Sequence, residues 1–508
     1  MSESATHTIR LSPADNVVVA RSALPSGTRI SEENLTTVDS IEPGHKIATQ
    51  LITRGTSVRK YDQIIGITNR DIQPGQHVHT HNLQMNDFDR DYQFCQAIRG
   101  LDYLPEKKRV TFQGIARDDG RVGTRNYIGV LTSVNCSAMV ARQVAARFQG
   151  QLRPDLPNVD GVVALTHDYG CGSCAGVGLN YLQRTLSGYI RQPNFFAVVI
   201  IGLGCEANQI DVMMDAEKLH SSDRLHAFTI QDSGGSAAAV DRGEGLIRDL
   251  LTDANRVERV ERPASDLILA LECGGSDGYS GISANPALGA AADLLVRNGG
   301  TACLAETPEI YGAEHLLTRR AVSVQVGQKL VDRIHWWEDY TRNNQAEMND
   351  NPAPGNKAGG LTTILEKSLG AVAKGGTTNL ADVYEYAEQI TQKGLVFMDT
   401  PGYDPASITG MVAGGANITC FTTGRGSVYG GKPVPSLKLA TNTPMYHRME
   451  SDMDINCGEI VDGDTTVQNK GLEIFDQIIA CASGKRSKSE LMGMGEEEFV
   501  PWTVGAIL

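Results

Sequence analysis

Short apolar runs that lead into glycine-rich polar turns recur through the middle of the chain. Such runs occupy Tyr127–Thr132, Val162–Leu165, Val198–Ile201 and Leu267–Leu271. Buried parallel strands have this appearance, because helices cover both faces of their sheet. Segments with helical spacing of apolar residues lie between the runs, so we expect an α/β fold with mostly parallel sheets.

The same pattern predicts further elements on both sides of about Arg262. In the helix that starts at Ser137, apolar side chains at Met139, Val140, Val144 and Phe148 are expected to share one side. The other predictions are a helix over Pro286–Arg297, strands at Thr301–Ala305, Leu395–Met398 and Ile418–Thr422, a long functional loop over Asp339–Gly360, and glycine-rich turns over Pro401–Gly415 and Gly424–Gly431.

The N-terminal region differs, because short strands there alternate with Pro-Gly turns. Val17–Ala20 is a predicted strand, and Ile41–Gly44 and Ile72–Gly75 repeat the form Ile-x-Pro-Gly. This predicts a small β-rich domain over residues 1–84. A polar linker over 85–111, an α/β domain over 112–262 and a C-terminal α/β domain over 263–508 complete the expected organisation.

The overall composition narrows the function classes. The chain has 508 residues, 41% hydrophobic and 21% charged, with a net charge of −14. An acidic chain has no general attraction to nucleic acid, and no apolar run reaches the length of a membrane span. We therefore expect a cytoplasmic protein with no nucleic-acid or membrane partner. Ten cysteines scattered over so long a chain favour reduced or metal-bound thiols over disulfides.

Several thiols follow directly after predicted strands. They are Cys171, Cys174, Cys205 and Cys273, with Cys136 as a secondary candidate and His167 close to the first pair. Ligands of open α/β sheets lie beyond the carboxyl ends of the strands, and thiolates and imidazoles are good iron or zinc ligands. A metal site is one interpretation; small buried core cysteines are the other.

Histidines alternate in the N-terminal region at His77, His79 and His81. On a strand these three side chains would share a face, and His45 is a possible fourth member. Such a group could bind a divalent ion or substrate hydroxyls, or serve as acid and base. A solvated face of an edge strand is the alternative.

Acidic and basic side chains add candidates at the same strand ends. The carboxylates that follow apolar runs are Glu206, Glu272, Asp277, Glu306 and Glu309. Three glycine-rich segments with Arg or Lys could bind an anion, namely Asp119–Asn126, Asn351–Gly360 and Thr422–Ser427. Neither a dinucleotide-binding fingerprint nor a P-loop is present in the sequence.

These motifs resemble, in order, those of the altronate/galactarate dehydratase family over nearly the whole chain. The carrying segments are Asp119–Asn126, His167–Cys171, Ile201–Glu206, Glu272–Asp277 with Ser280–Pro286, Asn351–Gly360 and Thr422–Gly431. The N-terminal region is similar to the SAF-type domain of that family, and His77–His81 resembles its altronate branch. One departure is Asp62, where the family usually has glycine after the tyrosine.

The resemblance implies a hydro-lyase that converts an altronate-like 2,3-dihydroxy acid to a 2-keto-3-deoxy acid. It implies Fe(II) or an iron–sulfur cluster held by Cys171, Cys205 and Cys273, with Mn(II) as a possible substitute. Acid–base roles are implied for His45, His77, His79, His81, His167 and Glu206, and substrate binding for Arg125, Asn126, Asp277, Lys357 and Arg425. The expected partner is a small sugar acid, and a homodimer is expected.

Other functions remain open at this point. A galactarate dehydratase or a sulfolactate sulfo-lyase would keep the scaffold and change the substrate. A thiol oxidoreductase would use Cys171 and Cys174 as a redox pair. A sugar-acid or metal-binding protein without catalysis is the most distant alternative.

Overall fold

The computed structural model describes residues 6–86, 92–149 and 155–505. Its N-terminal region consists of β1 (Thr8–Ile9), β2 (Val17–Ala20), β3 (Arg29–Ile30), β4 (Leu35–Thr36), β5 (Lys46–Ala48), β6 (Ser57–Lys60), β7 (Gln63–Thr68), β8 (His77–Val78) and β9 (Leu83–Gln84). They form three antiparallel sheets in the orders β1-β2-β5-β8, β3-β4 and β6-β7-β9. The predicted strand β2 is completely buried at the centre of the first sheet.

The second region is an α/β unit with a four-stranded parallel sheet. Its elements are β10 (Thr111–Ala116), β11 (Val122–Gly123), β12 (Tyr127–Thr132), α1 (Ala138–Ala146), β13 (Gly161–Leu165), α2 (Val177–Ile190), β14 (Phe195–Gly202), α3 (Ile210–Ala216), β15 (Leu225–Thr229), α4 (Ser236–Ala254) and β16 (Val260–Pro263). The sheet order is β13-β12-β14-β15. Strands β11-β10-β16 form a separate antiparallel sheet.

Helix α1 corrects one detail of the predicted apolar side. Val140 and Val144 pack in the core of the second domain with Phe148, but Met139 is 63% exposed. At 3.6 residues per turn, Met139 lies about 100° around the helix from Val140 and cannot share its face.

The C-terminal region contains seven parallel strands in the order β19-β20-β18-β17-β21-β22-β23. Its elements are β17 (Ile268–Cys273), α5 (Ala284–Arg297), β18 (Thr301–Leu304), α6 (His315–Thr318), α7 (Val324–Asn343), α8 (Pro354–Ala358), α9 (Ile364–Val372), β19 (Leu380–Tyr384), β20 (Gly394–Met398), α10 (Asp404–Ala413), β21 (Ile418–Thr423), β22 (Ser436–Ala440), α11 (Thr443–Arg448), β23 (Ile455–Asn456), α12 (Glu459–Asp462), α13 (Val467–Ala482) and α14 (Lys488–Leu491). Short 3-10 helices lie at Glu106–Lys108, Asn135–Ser137, Ala264–Asp266, Thr307–Ile310, Met348–Asp350 and Ala373–Gly375. The predicted fold class, α/β after a strand-rich N-terminal region, is confirmed.

Two predicted loops contain helices instead. Most of Pro401–Gly415 is α10, whose first turn has the Asp-Pro start that favours a helix. The long loop predicted over Asp339–Gly360 overlaps the end of α7 and contains α8. Glycine and proline in these segments lie at the ends of helices. The sequence pattern alone could not distinguish such helix ends from turns.

Part of the predicted linker 85–111, residues 87–91, lies outside the described residues. Beyond it the chain follows the C-terminal domain: the amide of Cys95 donates to the carbonyl of Thr318, and that of Leu104 donates to Arg297. Within the described ranges, no helix is both long and apolar enough to cross a bilayer.

Candidate functional site

Four imidazoles of the N-terminal domain gather where it meets the C-terminal domain. Strand β8 ends one residue after His77, so His79 and His81 lie in the following turn rather than on the predicted strand face. The turn brings both rings back to His77, at centroid distances of 5.3 Å and 5.4 Å. His45 joins from the turn before β5, with its Nδ1 2.9 Å from His77 Nε2. Its Nε2 lies 3.3 Å from the carbonyl oxygen of Ala358, which ends α8.

The electrostatics of this imidazole cluster favour neutral rings. Burial lowers the pKa of His77 to about 4 and that of His79 to about 3, and neighbouring positive charge adds to the effect. One nitrogen from each of His45, His77 and His79 lies within 4.8 Å of the other two. The Nδ1 atom of His79 is buried and has no hydrogen-bond partner in the described part of the chain. Neutral, closely spaced ring nitrogens can act as metal ligands or as bases.

Two cations stand beside the imidazole cluster. Lys357, in α8, is half-buried, and Arg425, after β21, is exposed. Neither side chain makes a hydrogen bond or ion pair with a described residue. Gly359, two residues after Lys357, lies close to Arg425. A β-carbon built on Gly359 would lie 3.3 Å from Arg425 Cδ and 3.0 Å from Asp277 Cβ. An anion arriving here would therefore meet two uncompensated positive groups.

Asp277, predicted to bind substrate, makes internal hydrogen bonds that support these loops. Its carboxylate is buried and accepts hydrogen bonds from Ser280, Thr441 and Asn442, each at 3.0 Å. With both oxygens engaged inside the protein, Asp277 orders the turn beneath Arg425 and Gly359.

A second polar group is buried at the carboxyl ends of β17 and β18. Lys374 Nζ donates to Cys273 Sγ (2.8 Å) and to Glu306 Oε2 (3.0 Å). Lys367 Nζ donates to Glu309 Oε1 at 2.5 Å, and Glu309 Oε2 lies 3.4 Å from Cys273 Sγ. Two lysines thus compensate the acidic groups of this buried centre. Burial raises the pKa of the Cys273 thiol well above its ordinary value.

Three carboxyl groups lie next to this buried centre. Oxygens of Glu272, Glu306 and Asp404 lie within 4.8 Å of one another, and Ser407 Oγ donates to Glu272 Oε2 at 2.7 Å. Burial and the charge of Glu306 raise the pKa of Glu272 well above its ordinary value. Burial, together with Glu306 and Glu309, raises the pKa of Asp404 to about 7. Burial and mutual repulsion therefore favour the protonated forms of Glu272 and Asp404.

The predicted metal set Cys171, Cys205 and Cys273 is divided between two places. Cys171 and Cys205 are exposed on the second domain, whereas Cys273 is buried among the carboxylates and lysines of the C-terminal domain. Cys136 is also exposed, after β12 of the same sheet, and desolvation together with the neighbouring Cys171 contributes to a raised pKa of its thiol. The placement after strand ends was recognised in the sequence, but strand ends of two different sheets were combined.

His167 and Glu206, predicted as catalytic, are engaged within the loops of the second domain. His167 is buried, with its Nε2 2.9 Å from the carbonyl oxygen of Thr132 and its Nδ1 accepting from the amide of Tyr169. Glu206 accepts from Ser133 Oγ and from the amide of Gly204, both at 2.6 Å. Both side chains therefore position loops.

Arg125 and Asn126, predicted to bind substrate, are buried and make contacts inside the protein. The buried guanidinium of Arg125 pairs with Glu490 at 2.6 Å and donates to the carbonyl of Cys481. Asn126 Nδ2 donates to the carbonyls of Asn158 and Ala254. Their partners lie 32 to 365 positions away along the chain, so no local pattern marked them as buried.

Lys367, Lys374 and Asp404 are polar residues of the site region that the sequence interpretation missed. Lys367 could have been recognised from the sequence, because Glu366 and Lys367 interrupt the otherwise apolar segment that forms α9. Charged residues inside an apolar helix are seldom buried without a partner. That pattern would have directed attention to this helix.

Family models match the chain in three consecutive parts. The altronate/galactarate dehydratase SAF domain matches residues 6–86, the D-galactarate dehydratase/altronate hydrolase second domain matches 114–255, and the D-galactarate/altronate dehydratase C-terminal domain matches 264–507. These ranges together cover most of the chain.

Similar proteins of known name are lyases. The chain is 35% identical over 480 residues to altronate dehydratase of Bacillus subtilis (strain 168), covering 94% of this chain and 95% of that protein. It is 36% identical over 492 residues to galactarate dehydratase (L-threo-forming) of Escherichia coli (strain K12), covering 94% and 93%. It is 31% identical over 402 residues to (2R)-sulfolactate sulfo-lyase subunit beta of Chromohalobacter salexigens, covering 78% and 98%. The predicted enzyme class is confirmed, and the chain belongs to the altronate/galactarate dehydratase family.

Proposed function

We propose that the protein dehydrates an altronate-type 2,3-dihydroxy acid to a 2-keto-3-deoxy acid where the N-terminal domain meets α8. One observation carries this proposal: four imidazoles are gathered against the loop that presents Lys357, beside Arg425. Acid–base groups and uncompensated cations in one place are what the removal of water from a hydroxy acid requires.

The two cations bind the substrate in this scheme. Lys357 and Arg425 hold the carboxylate and a neighbouring hydroxyl, because neither side chain has an internal counterion in the described part of the chain. Their charge also favours the enediolate that forms when the C2 proton leaves.

Proton transfer is assigned to His81. Its ring is the outermost of the four, and burial lowers its pKa, so the imidazole is neutral at pH 7. A ring nitrogen takes the C2 proton, and the resulting imidazolium returns a proton to the departing C3 hydroxyl, which leaves as water. The enol product then converts to the 2-keto acid.

The remaining imidazoles fit a divalent metal ion. His45, His77 and His79 offer three neutral nitrogens within 4.8 Å, including the unpartnered buried Nδ1 of His79. Such a donor set suits Fe(II) or Mn(II). When bound, the ion supplies charge stabilisation of the enediolate. The buried carboxylates around Cys273 already have lysine counterions, which makes them the poorer candidate.

The test is turnover of a panel of acids after anaerobic purification and metal removal. Altronate-type acids are expected to give a 2-keto product only after Fe(II) or Mn(II) is restored. We expect His81→Gln to lower kcat by ~10²–10⁴-fold with the metal content unchanged. His77→Ala is expected to lower metal content as well.

His220→Gln, an exposed histidine in the second domain, is the control and should match the wild type. Turnover of galactarate or sulfolactate alone would move the assignment to that substrate. Binding of sugar acids without turnover by the metal-loaded protein would overturn the proposal.

A further inference from the structure

A pocket between α6 and α9 has no part in the proposed dehydration. Its volume is about 310 Å³, at the lower end of the roughly 300–1,000 Å³ that small-molecule pockets have. The lining combines apolar side chains, Leu316 from α6 and Leu369 and Val372 from α9, with two arginines, Arg99 and Arg320. Among the described residues that line it, none belongs to the imidazole cluster or to the two cations beside that cluster.

Arg320 is a nearly buried positive charge at this pocket. The residue is 9% exposed, and its Nη1 donates to the carbonyls of Gly376 (2.6 Å) and Thr378 (2.8 Å). In the described part of the chain, its Nε and Nη2 have no hydrogen-bond partner and its guanidinium group has no ion pair. Charged side chains are almost never buried to this extent without a partner. The remaining donors of Arg320 are therefore suited to a ligand.

Arg99 is held beside Arg320 through its backbone. Asn379, which is buried, accepts from the amide of Arg99 at 3.0 Å and donates to its carbonyl at 2.7 Å. The amide of Ala97 donates to the carbonyl of Arg319 at 2.7 Å. The Arg99 residue is exposed, and no carboxylate of the described residues forms an ion pair with it. The fold thus fixes a second unpaired guanidinium group at the rim of the pocket.

The charges around the pocket favour an anion. Burial lowers the pKa of Arg320 to about 10; Asp293 opposes this effect, and the positive charge of Arg99 adds to it. The carboxylate of Asp293 already accepts from the amides of Thr377 and Thr378 and from the hydroxyl of Thr377. An anion between the two guanidinium groups would remove their repulsion and accept charge-assisted hydrogen bonds from both.

We propose that this pocket binds a small organic acid, with its carboxylate between Arg99 and Arg320 and its carbon chain against Leu316, Leu369 and Val372. The apolar side chains select an organic acid over inorganic phosphate, because only a carbon chain removes their surface from water. The planar guanidinium groups match the geometry of a carboxylate. This binding site is separate from the proposed catalytic site and does not depend on its assignment.

A ligand in this pocket would stabilise α9. Leu369 and Val372 lie on the helix that also carries Glu366 and Lys367. The bound acid would link this helix to the segment that contains Arg99. Because added contacts oppose local opening, backbone hydrogen exchange in α9 should become slower when the pocket is occupied.

The test is calorimetric titration of the full-length protein with hexanoate, hexanol and inorganic phosphate, combined with hydrogen exchange. Hexanoate should bind and should slow exchange in residues 95–99 and 364–378. Hexanol lacks the charge and phosphate lacks the carbon chain, so each should bind at least ~10-fold more weakly. Arg99→Met should weaken hexanoate binding by ~10–100-fold, because it removes a charge-assisted hydrogen bond, and should leave kcat for the sugar acid unchanged.

Arg242→Met is the matched control, because Arg242 is exposed on α4 of the second domain, and it should bind hexanoate as the wild type does. Arg320→Lys keeps a positive charge that can still donate to the two carbonyls. It should retain the thermal midpoint of the wild type and bind hexanoate more weakly, because the planar guanidinium group is lost.

Four results would overturn the proposal. They are equal affinity for hexanol or phosphate, unchanged hexanoate binding in Arg99→Met, protection of α8 instead of α9, and protection of α9 that follows protein concentration without ligand, which would show that a second copy covers the pocket. Loss of turnover in His81→Gln with intact hexanoate binding would concern the proposed reaction alone.

Discussion

At the scale of single residues, Lys357 offers the sharpest test of the candidate site. Its ammonium group has no internal counterion in the described chain and stands on the helix that contacts His45. A hydrogen bond from such a group to a substrate carboxylate contributes ~1.5–3 kcal/mol. Lys357→Met should therefore lower kcat/KM for the sugar acid by ~10–100-fold, mostly through KM, in steady-state assays of the metal-loaded enzyme.

Lys107→Met is the matched control, since Lys107 is exposed on the 3-10 turn of Glu106–Lys108, and its kinetic constants should equal those of the wild type. An unchanged KM in Lys357→Met would remove Lys357 from substrate binding.

Individual residues also show where sequence interpretation succeeded and where it could not. The histidines were recognisable because their spacing is dense, although a turn rather than a strand brings them together. Arg125 could not be assigned, because its counterion Glu490 is 365 positions away. Asp62, where the family usually has glycine, has a φ of +57°, a backbone conformation that glycine adopts without strain.

At the scale of elements, the start of α10 places a carboxyl group where its charge is unfavourable. Asp404 begins the helix, and its oxygens lie close to those of Glu272 and Glu306. Burial and these neighbours raise its pKa from 3.8 to about 7. Because the carboxyl group binds its proton more tightly in the folded protein, it contributes to the free energy of unfolding at low pH. This contribution is complete below the pKa of the unfolded chain and is lost as pH rises through about 7.

Asp404→Asn should therefore become more stable relative to the wild type as pH increases from 4 to 8, by ~2–4 kcal/mol over that range. Urea unfolding of both proteins at several pH values measures this difference. Asp241→Asn, on the exposed side of α4, is the control, and its difference from the wild type should stay nearly constant. A pH-independent difference for Asp404→Asn would show that the carboxyl group is ionised without penalty.

Strand ends also explain why the grouping of the candidate thiols was only partly predictable. Each thiol was correctly seen to follow an apolar run, but the sequence does not tell which runs pair in one sheet. β12, β13 and β14 are neighbours, whereas β17 belongs to the seven-stranded sheet. Pairing between strands is a long-range property, so only the sheet order shows that Cys136, and not Cys273, lies at the same sheet edge as Cys171 and Cys205.

At the scale of the whole molecule, a buried ion triad holds the N-terminal domain against the C-terminal domain. Lys46 from β5 and Lys60 from β6 both bind Glu366 on α9, at 2.8 Å and 3.0 Å, and all three side chains are at most 1% exposed. Lys46 also donates to the carbonyl of Gly360 at 2.6 Å. Family resemblance predicted the domain order, and this triad, with the contact of His45 to Ala358, explains how the histidines are held at α8.

Glu366→Gln should weaken the contact between the N-terminal and C-terminal domains and lower the stability of the protein. The substitution leaves two buried ammonium groups without a counterion, a change that costs ~3–5 kcal/mol of stability. Burial alone would raise the carboxyl pKa, but Lys46 and Lys60 outweigh it and hold the pKa of Glu366 well below 4.5. A carboxyl group whose pKa is lower in the folded protein contributes to the free energy of unfolding above the pKa of the unfolded chain. This contribution is lost as pH falls below that pKa.

The difference between wild type and Glu366→Gln should therefore be full at pH 6–7 and should narrow as pH falls below 4.5, as measured by urea unfolding. Glu244→Gln removes an exposed pairing with Arg147 and Arg248 and should cost less than ~1 kcal/mol. Adding Lys46→Met to Glu366→Gln should restore part of the loss, because one buried charge disappears with its partner. Equal effects of the buried and exposed substitutions would mean that solvent reaches the triad and that other contacts dock the N-terminal domain.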